Sequence, residues 1–187
     1  MRTFIQDVER VVASTSDEHE IAARVADLMS ALLAGGYRLP PELTRASPDR
    51  HLTYPIHIAP DESWSMASVV WDVGQRTNVH SHETWGVVGI YAGVEYEMRY
   101  LKPTASGPLT PAGESRWTRG QVTVCCTTDD VHAVAAVGTK PTIGIHVYGG
   151  NIATIRRRSY DIATGEAQWF TSGWDTPEAV AHDPGHR

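Results

Sequence analysis

The chain is written in two successive patterns of apolar spacing. Phe4, Ile5, Val8, Val11 and Val12 recur on a 3.6-residue period, which predicts a short amphipathic helix ending near Ser14-Thr15-Ser16. A second helix follows, with Ser16 or Asp17 as N-cap, Glu20 as capping-box partner of Asp17, and Gly35-Gly36 closing its far end. Its apolar stripe, Ile21, Val25, Leu28, Met29, Leu32 and Leu33, reads as the inner face of a helical cap laid on something larger. Tyr37 to Asp49 carries Pro40, Pro41 and Pro48 and reads as a connecting loop. From His51 the period shortens to two. Runs rich in Val, Ile, Thr, Tyr and Trp between Gly, Pro and Asp predict strands at 52–58, 64–72, 77–82, 86–92, 94–102, 121–126, 131–137, 142–148, 152–160 and 167–170. Thr104 to Ser115 is expected to be a loop, and the tail after Asp175 shows no periodicity. Many short strands without intervening helices predict a sandwich or a barrel.

Composition narrows the function classes. A chain of 187 residues is long enough for a real core and fits one domain, divided here into a helical cap (1–36), a β domain (37–175) and a loose tail (176–187). The net charge of -6 and a pI near 5.8 argue against nucleic acid as a partner. No apolar run approaches the roughly 20 residues that span a bilayer, so no membrane partner is expected. Asp7 and Glu9 interrupt the start where a signal peptide keeps its apolar region. The two cysteines, Cys125 and Cys126, are adjacent and ill placed to pair, which suggests reduced thiols in a cytoplasmic protein. Six tryptophans and seven tyrosines against two phenylalanines suggest a core or pocket lined by amphipathic aromatics.

The candidate chemistry lies in the histidines. His19, His182 and His186 fall on polar or aperiodic stretches, and His51 and His57 flank the first strand without further signal. His80 and His82, in GQRTNVHSHETWGVVGIYAG, are one residue apart; in a strand, side chains at i and i+2 share a face, so both rings can approach one metal ion. His132 sits about fifty residues later in the apolar strand DDVHAVAAV. A buried imidazole needs a partner, and a metal held by His80 and His82 would supply one. In PTIGIHVYGGN, Gly144, His146 and Tyr148 share one face while Ile143, Ile145 and Val147 share the other. The aliphatics are expected to pack outward and the polar face to look into a cavity. His146 is there either a fourth ligand or a hydrogen-bond partner of Tyr148.

Gly74-x5-His80-x-His82, closed by Gly93, is similar to the first cupin motif, and HSHETWGVVGIYAGVEYEMRY with the downstream GIHVYGGNIATIRR resembles the bacterial thiol dioxygenases, the cysteine dioxygenase and 3-mercaptopropionate dioxygenase family. The resemblance covers about residues 37 to 175. It implies a mainly β fold, a double-stranded β-helix (the cupin jelly-roll barrel) preceded by the two helices, with one Fe(II) bound by His80, His82 and His132. His146 and Tyr148 match the last two members of the family's Ser-x-His-x-Tyr relay, with Gly144 in place of the serine. Gly86 stands where many cupins have a glutamate ligand and where mammalian cysteine dioxygenases have the cysteine of a cysteine–tyrosine cross-link, so neither feature is available. The first barrel strand, TYPIHIAP, lacks the arginine with which cysteine dioxygenases hold a carboxylate; Arg157, after the GGN turn, matches the arginine of the mercaptopropionate type.

The implied activity is addition of both atoms of O2 to the sulfur of a small thiol, cysteine or a 3-mercaptopropionate-like acid, to give a sulfinate. Arg157 would fix the carboxylate by two parallel hydrogen bonds. Tyr148, oriented by His146, would hydrogen-bond the reacting oxygen or that carboxylate, and Trp85 and Trp71 would wall the pocket. Two other readings stand beside it: a metal-dependent cupin oxygenase or isomerase acting on a non-thiol substrate, and a cupin that binds a small ligand without catalysis.

Overall fold

The computed structural model describes residues 1–104 and 107–177, and most of the expected tail lies outside them. Two α-helices open the chain, α1 over Arg2–Ser14 and α2 over Glu18–Ala34. Asp17 caps α2 by accepting the backbone N–H groups of His19 and Glu20 at 2.9 and 3.2 Å, while Glu20 pairs with Arg24 at 3.1 Å rather than returning to the cap. Gly36, at φ +70°, ends the helix, a left-handed conformation that glycine adopts without penalty.

Eleven strands follow, all in antiparallel ladders among the described residues: β1 Leu52–Ile58, β2 Ser65–Trp71, β3 Val79–His80, β4 Gly86–Ala92, β5 Val94–Tyr100, β6 Pro111–Thr118, β7 Val122–Cys125, β8 His132–Ala136, β9 Thr142–Tyr148, β10 Arg157–Tyr160 and β11 Ala167–Phe170. They form two sheets, ordered β1-β2-β9-β4-β7 and β11-β10-β3-β8-β5-β6. From β2 to β9 the chain changes sheet at every step except the β5–β6 hairpin. That interleaving, β2-β9-β4-β7 facing β3-β8-β5-β6, is the jelly roll, or double-stranded β-helix. The mainly β class with two N-terminal helices follows directly from this order.

The helices cover the outer face of the first sheet. Val8, Val25 and Met29 are fully buried with Val87, Ile145 and Val147 in one cluster, each such side chain stabilising the fold by about 1.5–3 kcal/mol. Gly89 permits the close approach: a Cβ there would lie 2.6 Å from Met29 Cγ. The aliphatic side of β9 thus faces the helices, and its polar side, His146 and Tyr148, faces the barrel interior.

Three strand expectations change. The loop expected over Thr104 to Ser115 gives way at Pro111 to β6, which pairs with β5 from Tyr100↔Pro111 to Val94↔Thr118. Its side chains are mostly exposed, so no apolar alternation marks it in the sequence. The strand expected at 77–82 is ordered as strand only at Val79–His80, and that expected at 152–160 only at Arg157–Tyr160. In the latter, Asn151 turns the chain by accepting the N–H groups of Thr154 and Ile155.

Candidate metal centre and its cavity

His80 and His132 are brought together by strand pairing, each standing directly opposite the other on β3 and β8. His82 arrives differently. The strand stops at His80, and a turn with Glu83 at φ 58° carries the next ring inward. The carboxylate of Asp130 holds that turn by accepting the N–H groups of His82 and Glu83 at 3.0 and 2.9 Å. The shared strand face expected from the one-residue spacing is therefore replaced by a strand end plus a clamped turn. The three ring centroids lie 4.9–5.1 Å apart, and one ring nitrogen of each lies within 4.8 Å of the other two. The cluster contains no carboxylate among the described residues, and Gly86 adds none.

Each imidazole is held through its Nδ1 by a different partner. His80 contacts the carbonyl of Asn78 at 3.0 Å, His82 the Cys125 sulfur at 3.3 Å, and His132 the Glu97 carboxylate at 2.7 Å. Glu97 is itself fixed by Trp117 Nε1 at 2.8 Å and Arg99 Nε at 3.1 Å. Burial alone would raise its pKa, but His132, Arg99 and Trp117 outweigh burial and bring the carboxyl down to about 2. With Nδ1 occupied, Nε2 is left as the free donor on each ring.

The protonation states suit a cation. Burial, then the charge of His132, lowers His80 to about 3, and burial followed by the neighbouring imidazoles lowers His82 well below the usual histidine range. Both rings are neutral at pH 7 with lone pairs available. The Nε2 atom of His132 is buried with no hydrogen-bond partner, a cost that a ligated ion removes. The residues present fit a mononuclear metal with three nitrogen donors.

The cluster opens on a cavity of about 430 Å³ whose lining includes Tyr148, His146, Arg157, Trp71, Glu95 and Phe170. His146 Nδ1 and Tyr148 Oη lie 2.7 Å apart. His146 is therefore the partner of Tyr148 and stands outside the ligand cluster. A Cβ at residue 144 would fall 2.4 Å from His146 Nε2, so this ring takes the space that a serine at Gly144 would need. Burial lowers His146 to about 3 and raises the Tyr148 phenol above its usual range, leaving both neutral.

The arginines separate by strand parity. Arg157 is buried against the cavity, donates to Ser172 Oγ at 2.5 Å and lies over Phe170 at 4.8 Å. Arg158, facing the other way, pairs with Glu83 at 2.7 and 2.9 Å, and Arg156 lies over Trp169. Arg157 has no carboxylate partner among the described residues, and its Nε is buried without a hydrogen bond. Trp85, expected in the pocket wall, packs instead in the core cluster with Val87, whose strand parity it shares, while Val88 and Trp71 line the cavity. Glu95, Glu97, Asp130, Cys125 and Ser172 were absent from the candidates drawn from sequence. For Glu95 and Glu97 the only signal is their i, i+2 spacing on one face of a strand.

No protein-family model matches the chain. Among solved structures it is similar to a cupin superfamily protein from Desulfitobacterium hafniense, with 10% identity, coverage of 62% of this chain and 92% of that one, and a TM-score of 0.47. It is also similar to a cupin-like protein from Thermotoga maritima (17% identity, 73% and 90% coverage, TM-score 0.45) and to an oxalate oxidase in complex with the substrate analogue glycolate (15%, 60% and 59%, 0.45). The jelly-roll assignment stands on strand order and register, independently of these likenesses.

Proposed function

We propose that the protein is a mononuclear non-haem iron thiol dioxygenase acting on a small thiol that carries a carboxylate. The observation that carries this reading is the conjunction, in one cavity, of a three-histidine cluster with no carboxylate and a buried arginine with no anionic partner among the described residues. Fe(II) held by His80, His82 and His132 would supply the open positions at which a thiolate and dioxygen meet, the net reaction placing both oxygen atoms on sulfur to give a sulfinate and releasing the thiol proton.

The protein's own groups then have separable tasks. The Nδ1 partners Asn78, Cys125 and Glu97 fix the ring planes, so that little reorganisation accompanies ligand binding. Arg157, already held on one side by Ser172, presents its unpartnered Nε to the substrate carboxylate. That contact places the sulfur toward the cluster. The neutral Tyr148 hydroxyl, fixed by His146, donates a hydrogen bond to the same carboxylate. Val69, Val88, Val134 and Phe170 supply the apolar wall that keeps water from the reacting centre.

The test is oxygen uptake by protein loaded with Fe(II) under anaerobic conditions, with cysteine, 3-mercaptopropionate and other small thiols in turn. Uptake with at least one thiol, abolished by His82→Ala, is the expected result. Absence of uptake with every thiol contradicts the proposal.

A further inference from the structure

Among the described residues, the side chains that hold the Arg157 guanidinium come from one stretch of chain. It donates to Ser172 Oγ at 2.5 Å and lies over the Phe170 ring at 4.8 Å. Phe170 ends β11, opposite Arg157 in the ladder. Beyond it the strand pairing stops, and residues 171–175 pass from the edge of the second sheet to the edge of the first. On the way Trp174 donates from Nε1 to Asn151 Oδ1 at 3.1 Å and packs against the cluster of Ala67, Val69 and Trp71. Asp175 then docks on β1. Its N–H donates to the Thr53 carbonyl at 2.9 Å, its carboxylate accepts the Thr53 N–H at 2.7 Å, and Arg50 Nη1 donates to the same carboxylate at 3.1 Å. The segment is a strap across the side of the barrel between the free edges of β11 and β1, and Phe170, Ser172 and Thr53 along it line the cavity.

Ser172 has little to place it by itself. The residue is exposed, and its hydroxyl reaches the Ile152 carbonyl only at 3.5 Å, the far limit of a hydrogen bond. Its position is set by what fixes the strap on either side: the four-residue β10–β11 ladder before it and the docking of Asp175 after it. In that docking the bond from the Thr53 N–H to a carboxylate is charge-assisted and strong, whereas Arg50 is largely exposed and its ion pair adds little. A long side chain that loses Ser172 regains rotamer freedom, and that freedom must be surrendered again whenever an anion binds.

We infer that Asp175 is a positioning residue for the anion-binding end of the cavity: by docking the strap on β1 it holds Ser172 against Arg157, so the arginine is set for an anion only while the strap is down. That the anion is a substrate carboxylate rests on the thiol dioxygenase reading; the coupling from Asp175 through Ser172 to Arg157 does not. Asp175 lies outside both the cavity lining and the histidine cluster, so its effect falls on the affinity for acids and not on the metal.

Two measurements on the full-length chain test the coupling. The first needs no substrate: arginine modification by phenylglyoxal, mapped by peptide mass spectrometry, with the exposed Arg119 and the half-buried Arg99, held by Glu97, as internal references. Asp175→Ala and Ser172→Ala should each speed modification of Arg157 by about threefold or more, and the double variant should react no faster than the singles, because both break one chain of contacts. Asp175→Asn keeps an acceptor for the Thr53 N–H and should stay within about twofold of wild type. An unchanged Arg157 rate in Asp175→Ala, effects of the two substitutions that multiply, or an acceleration shared by Arg99, the mark of general loosening, overturns the inference. The second measurement is calorimetric titration of Fe(II)-loaded, oxygen-free protein with 3-mercaptopropionate and with 2-mercaptoethanol, which lacks the carboxylate. Asp175→Ala should weaken the acid by about three- to thirtyfold, the range for ordering one long side chain, and leave 2-mercaptoethanol within about twofold; equal weakening of both overturns it. If neither thiol binds the wild type, the thiol reading fails, and the Arg157 modification rates alone decide the coupling.

Discussion

Replacing Glu97 by Gln is the perturbation that separates a metal centre from a packed cluster of histidines. The carboxylate accepts from His132 Nδ1 at 2.7 Å and Trp117 Nε1 at 2.8 Å, with Arg99 Nε at 3.1 Å, and is 1% exposed. Glutamine keeps the shape but turns one acceptor oxygen into a donor, so one of these three donors must lose its partner. An unsatisfied buried donor costs about 1–3 kcal/mol, which for a chain of this size lowers the melting temperature by roughly 2–12 °C. The effect on metal is separate. His132 loses the carboxylate that orients its ring, and an outer partner of this kind is worth about 10- to 100-fold in affinity. The assay is titration of metal-free protein with Fe(II) or a stable surrogate such as Zn(II), beside thermal melts of the metal-free wild type and variant. Loss of affinity in that range, together with a lower melting temperature, is expected. A melting temperature that falls while metal affinity stays within twofold of wild type would refute the role of His132 as a ligand.

Further outcomes follow from other groups. Glu95, raised to about 8 from its ordinary 4.5, keeps its proton in the folded protein where the unfolded chain has lost it, so its contribution to stability falls as pH rises through that window. Each pH unit removes about 1.4 kcal/mol, on the order of 3 kcal/mol by pH 7; chemical denaturation of metal-free Glu95→Gln should show a stability gain that grows from pH 5 to pH 8, and a gain independent of pH would be inconsistent with this. Gly144→Ala puts a Cβ 2.4 Å from His146 Nε2, which forces the ring to move at a cost of about 1–3 kcal/mol and parts it from Tyr148; a melting temperature equal to wild type would mean that the ring sits elsewhere. Tyr148→Phe removes the phenol bonded to His146 but no ligand of the cluster, so metal content should persist while turnover slows, and loss of metal would show that the two are not separable.

How much of this was legible in the sequence depends on which physical rule governed each residue. The face of β9 was legible because Ile143, Ile145 and Val147 are aliphatic and pack under the helices, so parity alone sends His146 and Tyr148 inward. Parity likewise singled out Arg157 from its two neighbours. On β5 the same rule misleads. In Val94–Tyr100 the apolar residues Val94, Tyr96 and Met98 are only partly buried, while Glu95 and Glu97 are buried. The inner surface here lines a cavity that mixes charged and apolar groups rather than an oily core, and that inversion cannot be read from one strand without its partners. His82 was identified as a ring near His80, but the route was not: its position depends on Asp130, forty-eight residues away in sequence. β6 was missed because an edge strand with exposed side chains leaves no apolar period to read.

Placement of both atoms of dioxygen on the substrate sulfur is the step that defines the proposed activity. The most direct measurement is mass spectrometry of the product formed by the Fe(II)-loaded protein under an atmosphere of ¹⁸O₂, with oxygen consumption followed in parallel. A sulfinate carrying two ¹⁸O atoms, one O2 consumed per sulfinate formed, and no product from His132→Ala are expected. A sulfinate carrying one labelled atom or none, or a disulfide as the sole oxidised product, would contradict the proposed activity.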